Sequence, residues 1–251
     1  MRRGFLRGFW KLAWVETKIF AREPMGFIGT LAMPVVVFVL LGRVFGGERP
    51  AAPEGFDIPF NAAILAALLI AIGAVQSLVS IIAIYREGGI LTRLRATPLA
   101  PVTILGAHIV VKLGFTVVSL ALLVAAGRRL FPGVMQVNVW SFALAVLLAT
   151  LSILSLGFVL ASLVPTARFA QPIGAAVLYP MLALSGLFFP TSHLPLALRT
   201  VAALLPTTHA VALLQGVWDG SGWIAHGWDA AALLGLFLLN TALATRVFRW
   251  E

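Results

Sequence analysis

The sequence predicts an all-α membrane protein with six transmembrane helices. It adds an N-terminal amphipathic interface helix and short re-entrant half-helices before the last span. Three observations predict this. The 251 residues are 61% hydrophobic and 11% charged, where soluble domains carry roughly 25% charged residues. The apolar residues gather into long runs, and a bilayer core of about 30 Å needs about 20 helical residues. The 18 Lys and Arg outnumber the 9 Asp and Glu, and they cluster at the ends of the runs. On a soluble chain a net charge of +9 would suggest nucleic acid; here it reads as a topology signal, and no nucleic-acid partner is expected. The absence of cysteine excludes disulfides, thiol catalysis and Cys-built metal sites. Met1-Arg2-Arg3 is basic, but the residues after it alternate charged and apolar, so no secretory signal is expected.

One transmembrane domain, 1–251, accounts for the whole pattern. Residues 2–23 form the interface helix. At about 100° per residue, Arg7, Lys11, Lys18 and Arg22 fall on one stripe. Phe5, Phe9, Leu12, Ala13, Ile19 and Phe20 fall opposite, with Leu6 and Trp10 extending that face. Glu16 falls on the apolar side, where it either pairs with a basic residue of a neighbouring segment or snorkels to water.

The first span is 26–45, with Pro34 inside it as a kink. A Pro/Gly-rich loop, 46–59, leads to the second span, 60–85, whose polar residues are Gln76, Ser77 and Ser80. A charged connector, 86–101, precedes the third span, 104–127, and the loop 128–138 leads to the fourth, 139–164. The turn 165–170 opens the fifth, 171–188, which holds Pro180, and the sixth is 228–248. Between the last two, the segment 189–227 is apolar but interrupted by Pro190, Pro195 and Pro206. Its pieces 194–205 and 208–218 are too short to cross, so they dip in and return.

Six spans put both termini on one side. That side holds 12 of the basic residues and the opposite side five, although Arg128-Arg129 runs against the trend. The termini and the connector are therefore expected in the cytoplasm, with the chain in the inner membrane of a prokaryote.

No enzymatic role is expected of the chain. A P-loop needs a Lys followed by Ser or Thr, and the lysines here, Lys11, Lys18 and Lys112, precede Leu12, Ile19 and Leu113. No catalytic residue and no metal ligand is assigned, and ATP would have to be bound elsewhere. His193, His209, Asp219 and His226 fit a metal or hydrolase site on residue type, or polar residues at loop ends, and lack the i, i+4 spacing of a helical zinc pair. His108 and Lys112 do stand at i, i+4, either on a transport path or with Lys112 snorkelling to the near edge. Gln76, Ser77 and Ser80 either line a polar path or bond helix to helix. The candidates for pathway or gate are Pro34, Gln76, Ser80, Pro180, Phe188, Phe189 and Pro190. An ATP-independent secondary transporter or channel is the alternative. It would need a midplane carboxylate, and no Asp or Glu lies well inside any span.

The connector carries the sharpest signal. Gly88-Gly89 permits a tight turn after the second span. Ile90, Leu91 and Leu94 share a docking face, Arg93 and Arg95 point elsewhere, and Pro98 ends the segment. A short helix there would be a lever for a soluble partner.

Arg86-Glu87-Gly88-Gly89-Ile90-Leu91-Thr92-Arg93-Leu94-Arg95-Ala96-Thr97-Pro98 resembles the R-E-[RK]-G-T-L-E-R-L-x-A-T-P segment of type 2 ABC exporter permeases. Ser185-Gly186-Leu187-Phe188-Phe189-Pro190, with Leu194-Pro195 and Leu205-Pro206, is similar to that family's G-x-[FL]-F-P…L-P…L-P run. Arg22-Glu23-Pro24, followed by Pro34 and Val44-Phe45-Gly46, is a third match. Gly88 replaces the usual basic residue, Ile90 the Thr and Thr92 the Glu. The R-Y-x-x-S-x-L-G-x-x-W signature of the polysaccharide branch is missing, which tilts the resemblance toward the drug and antibiotic-resistance branch. The resemblance implies two permease subunits, identical or closely homologous, seated in membrane lipid above two separate ATPase subunits that bind ATP and Mg. It implies coupling to the ATPase through Arg86, Glu87, Leu91, Arg93, Leu94 and Arg95, and an outer gate at 189–206. The cargo would be amphipathic or lipophilic and would move outward.

Overall fold

A computed structural model describes residues 2–22, 24–45, 62–90, 101–130, 138–164, 166–188 and 190–247. The longer elements are α1 (Arg2–Arg22), α2 (Pro24–Phe45), α3 (Ala62–Glu87), α4 (Pro101–Leu130) and α5 (Val139–Leu163). Then come α6 (Ala167–Ala183), a 3₁₀ turn (Thr191–His193), α7 (Leu196–Ala202), α8 (Pro206–Trp218), the single turn α9 (Gly222–Ala225) and α10 (Gly227–Val247). There is no strand among the described residues. The fold is an all-α membrane protein.

The helix α3 is apolar nearly all round, and such a helix belongs inside a bundle. Its residues Ile64, Leu68, Val75, Leu78, Val79 and Ile82 are fully buried, and it packs against α2, α4, α5, α6 and α8. α5 is nearly as deep and holds α10 against its other side. On α10 itself Leu234, Leu238, Leu239 and Leu243 stay exposed, as a lipid-facing helix requires, because hydrocarbon does not drive such side chains inward. Asn138 caps α5 by accepting from the Trp140 and Ser141 amides.

Among the described residues, four helices are long and apolar enough to cross a membrane: 67–87, 106–130, 139–163 and 227–246. The number rises to six if each of two bent pairs counts as one span: α1 with α2, bent by 92°, and α7 with α8, bent by 78°. The expected half-helices thus exist as α7 and α8. Two expectations change. The expected fifth span, 171–188, is the 17-residue α6, which starts earlier and ends at Ala183, where the chain turns through Gly186 at φ +87°. Pro34 and Pro180 lie inside continuous helices; the sharp bends lie instead at the α1–α2 and α7–α8 junctions. The loop 46–59, the connector residues 91–98 and Phe189 lie outside the described residues.

Candidate functional site

Three consecutive residues at the end of α3 face three neighbours. α5 ends with backbone carbonyls that no later turn can use. The Arg86 guanidinium donates to two of them, Val164 O at 2.7 Å and Ala161 O at 2.9 Å. α6 begins with amides in the same plight, and its N-cap, Thr166, makes no side-chain cap bond. Glu87 supplies one from 80 residues away: its Oε1 accepts from Ala167 N at 2.8 Å. A cation thus meets the negative end of one helix dipole, and an anion the positive end of the next. Gly88 and Gly89 then close α3, their amides donating to Ile84 O and Arg86 O. Gly89 sits at φ +65°, where a side chain would be strained.

Tyr85 faces α1. Its hydroxyl donates to Glu16 Oε1 at 2.5 Å, and His108 Nδ1 of α4 lies 3.3 Å from Glu16 Oε2. Glu16 is only 5% exposed and His108 1%. The sequence left pairing and snorkelling open for Glu16; the structure pairs it, with a histidine and a tyrosine. Lys112, one turn beyond His108, is also only 5% exposed. It bonds the Ser77 hydroxyl, and its Nζ lies 4.2 Å above the Phe20 ring. It therefore does not snorkel, because its partners are on α3 and α1.

These groups open onto a cleft of about 220 Å³ among α1, α2, α3, α4 and α6. Gln76 and Ser80 line it, together with Gln171, whose Nε2 donates to Ser80 Oγ at 2.9 Å. The Gln76 amide oxygen points at Gly174, where a Cβ would come within 2.3 Å of it. Gln76 Oε1 and His108 Nε2 are buried with no hydrogen-bond partner. All three polar residues of the second span line the cleft, and Ser77 and Ser80 also bond helix to helix.

The opposite end is marked by exposed Trp140 and Trp228. There Trp223 Nε1 donates to Ser141 Oγ at 2.8 Å. His209 Nδ1 lies 2.8 Å from Asp229 Oδ1, its Nε2 lies 3.0 Å from Ala203 O, and His226 Nδ1 lies 3.1 Å from Asp229 Oδ2. This pin ties the α7–α8 bend to α10. The imagined set of His193, His209 and Asp219 is not assembled: Asp219 and His193 are exposed, and the acid between the histidines is Asp229. Among the described residues no three His, Asp or Glu are placed to hold a metal ion.

A family profile described as ABC-2 type transporter matches residues 7–217, most of the chain. The chain belongs to that family. Over 111 residues it is 35% identical to nodulation protein J of Rhizobium leguminosarum bv. viciae, and over 110 residues 33% identical to that of Rhizobium meliloti (strain 1021). Each match covers 42% of this chain and spans 42% of the relative's length. An ABC-2 membrane chain is a transport subunit, and the family implies an ATP-binding partner.

Of the ABC-2 chain's six connector candidates, Arg86 and Glu87 are engaged within the chain. Leu91, Arg93, Leu94 and Arg95 lie outside the described residues. Pro34 is buried in α2 and Pro180 is exposed on α6, while Phe188 and Pro190 flank the turn leading to α7. Sequence reasoning missed Tyr85, His108 as the partner of Glu16, and Asp229. Only Glu16 carried a local signal, as a lone acid on an apolar face.

Proposed function

We propose that this ABC-2 permease is the membrane half of an ATP-driven exporter. A separate ATPase, which binds ATP and Mg, docks at the Arg86 end. That end, with both termini, faces the cytoplasm, and two permease subunits enclose a path along which an amphipathic or lipophilic cargo moves outward. One observation carries this reading. Tyr85, Arg86 and Glu87, at the root of the connector, tie α3 to α1, α5 and α6 in a single turn. A push on the connector therefore reaches three more helices through bonds already formed, and packed helices so linked switch between discrete arrangements instead of deforming smoothly. Gln76 and Ser80 line the inner end of the path in this reading, and 189–206 forms its outer gate.

The absence of native cysteine makes a direct test available. In Arg93→Cys, a membrane-impermeant maleimide is expected to label the connector only from the cytoplasmic side. With the ATPase bound, Arg86→Ala/Glu87→Ala is expected to keep ATP hydrolysis while losing transport. Labelling from outside, or transport by the chain alone, would overturn the proposal.

One observation favours the alternative, an ATP-independent carrier: Glu16, His108 and Lys112 are buried together, as in proton-coupled carriers. Uptake driven by an imposed proton gradient, with no nucleotide or partner, would select it.

A further inference from the structure

α1 runs beside the first half of α4. Ala13 is buried against Ala107 and Val111, with Phe9, Leu12 and Phe115 around them. Along this seam lies an open groove of about 480 Å³, within the roughly 300–1,000 Å³ of small-molecule sites. Trp10, Trp14 and Thr17 of α1 form one wall, and Val110, Gly114 and Val118 of α4 the other. The Thr17 hydroxyl is engaged by Ala13 O at 2.8 Å. At Gly114 a Cβ would meet no atom within 4 Å, so a glycine leaves the floor open. Trp10 and Trp14 are 62% and 61% exposed, as indoles at a membrane boundary are.

The rim carries a cation. Lys18 is exposed and reaches back toward the start of its helix, with Nζ 5.3 Å above the Trp14 ring. An apolar slot with an ammonium group at its lip suits a molecule with an apolar tail and a negative head. A second protein helix seated there would have to desolvate Lys18. Water gains nothing from the apolar walls.

We propose that this groove holds the acyl chain of an anionic phospholipid, with its phosphate against Lys18. The site joins the interface helix to α4, does not depend on the direction of transport, and makes lipid composition a determinant of how α1 is held.

The test uses the full chain in vesicles containing phosphatidylglycerol or phosphatidylcholine brominated on the acyl chain. Quenching of Trp10 and Trp14 is read as the difference from the Trp10→Phe/Trp14→Phe chain. Brominated phosphatidylglycerol is expected to quench at a mole fraction about fivefold lower than phosphatidylcholine, with Lys18→Gln removing most of that preference. Gly114→Phe fills the slot without touching a charge and is expected to abolish the preference. Val110→Phe does the same from the wall, without adding an indole, should Gly114→Phe fail to fold. Equal quenching by the two lipids overturns the site. So does a preference that survives both filling variants, which would mean general attraction to a basic face. Protection of both tryptophans from either lipid overturns it too, since a second subunit would then cover the groove.

Discussion

At the Arg86 end of the bundle, charged side chains reach backbone: Arg86 holds the last carbonyls of α5, and Glu87 holds the first amide of α6. At the Trp140 end, side chains mostly reach side chains: Trp223 meets Ser141, and two histidines share Asp229. The first arrangement fixes where whole helices begin and end, with Glu87 exposed and Arg86 part-buried. The second pins short, proline-started helices through side chains that are 11–27% exposed, and a rotamer change can release it. The two ends thus join helices by different means, side chain to backbone at one and side chain to side chain at the other.

Glu16→Ala should break this contrast most severely. It strips Tyr85 and His108 of their shared acceptor deep in the protein. A loss of about 3 kcal/mol is expected in thermal unfolding, with Glu16→Gln losing less. A change below about 0.5 kcal/mol, the level of an ordinary surface substitution, would mean the buried network fastens nothing. Arg86→Ala comes next, at about 2–3 kcal/mol for two bonds from a charged donor. Arg86→Lys should recover less than half, because an ammonium cannot fork across two carbonyls; full recovery would reduce the clamp to simple charge.

The Trp140 end should yield smaller numbers. Gly216→Ala would put a Cβ 2.0 Å from the His226 ring. The ring must then leave Asp229, at about 1–2 kcal/mol. In a His226→Ala background Gly216→Ala should cost almost nothing further, and an undiminished cost there would point to strain elsewhere. Asp229→Asn should cost about 1 kcal/mol, since its side chain is 19% exposed. If Asp229→Asn instead cost more than Arg86→Ala in the same unfolding series, the asymmetry between the two ends would be reversed.

Much of this was legible in the sequence. Apolar runs and prolines located the long helices, the α7–α8 pair and the turn at Gly88-Gly89, because each is dictated by neighbours in the chain. Composition and the connector motif pointed to a transport subunit. The clamps were not legible, because they join residues 69 to 80 positions apart. Nothing near Arg86 reveals that α5 will end beside it. Asp229 falls at the start of the expected sixth span, and its two imidazoles converge only after the chain has bent by 78°. Pro34 and Pro180 sit inside α2 and α6, which run on through them, and the two sharp bends fall where helices meet instead.

α3 has its angular setting locked at five places along its length: Ser77, Ser80, Tyr85, Arg86 and Glu87 each meet a different partner. One residue inserted between Ser80 and Tyr85 would rotate everything beyond it by about 100° and advance it about 1.5 Å, unmaking three of those meetings at once. This rod therefore tolerates a change of letter far better than a change of count.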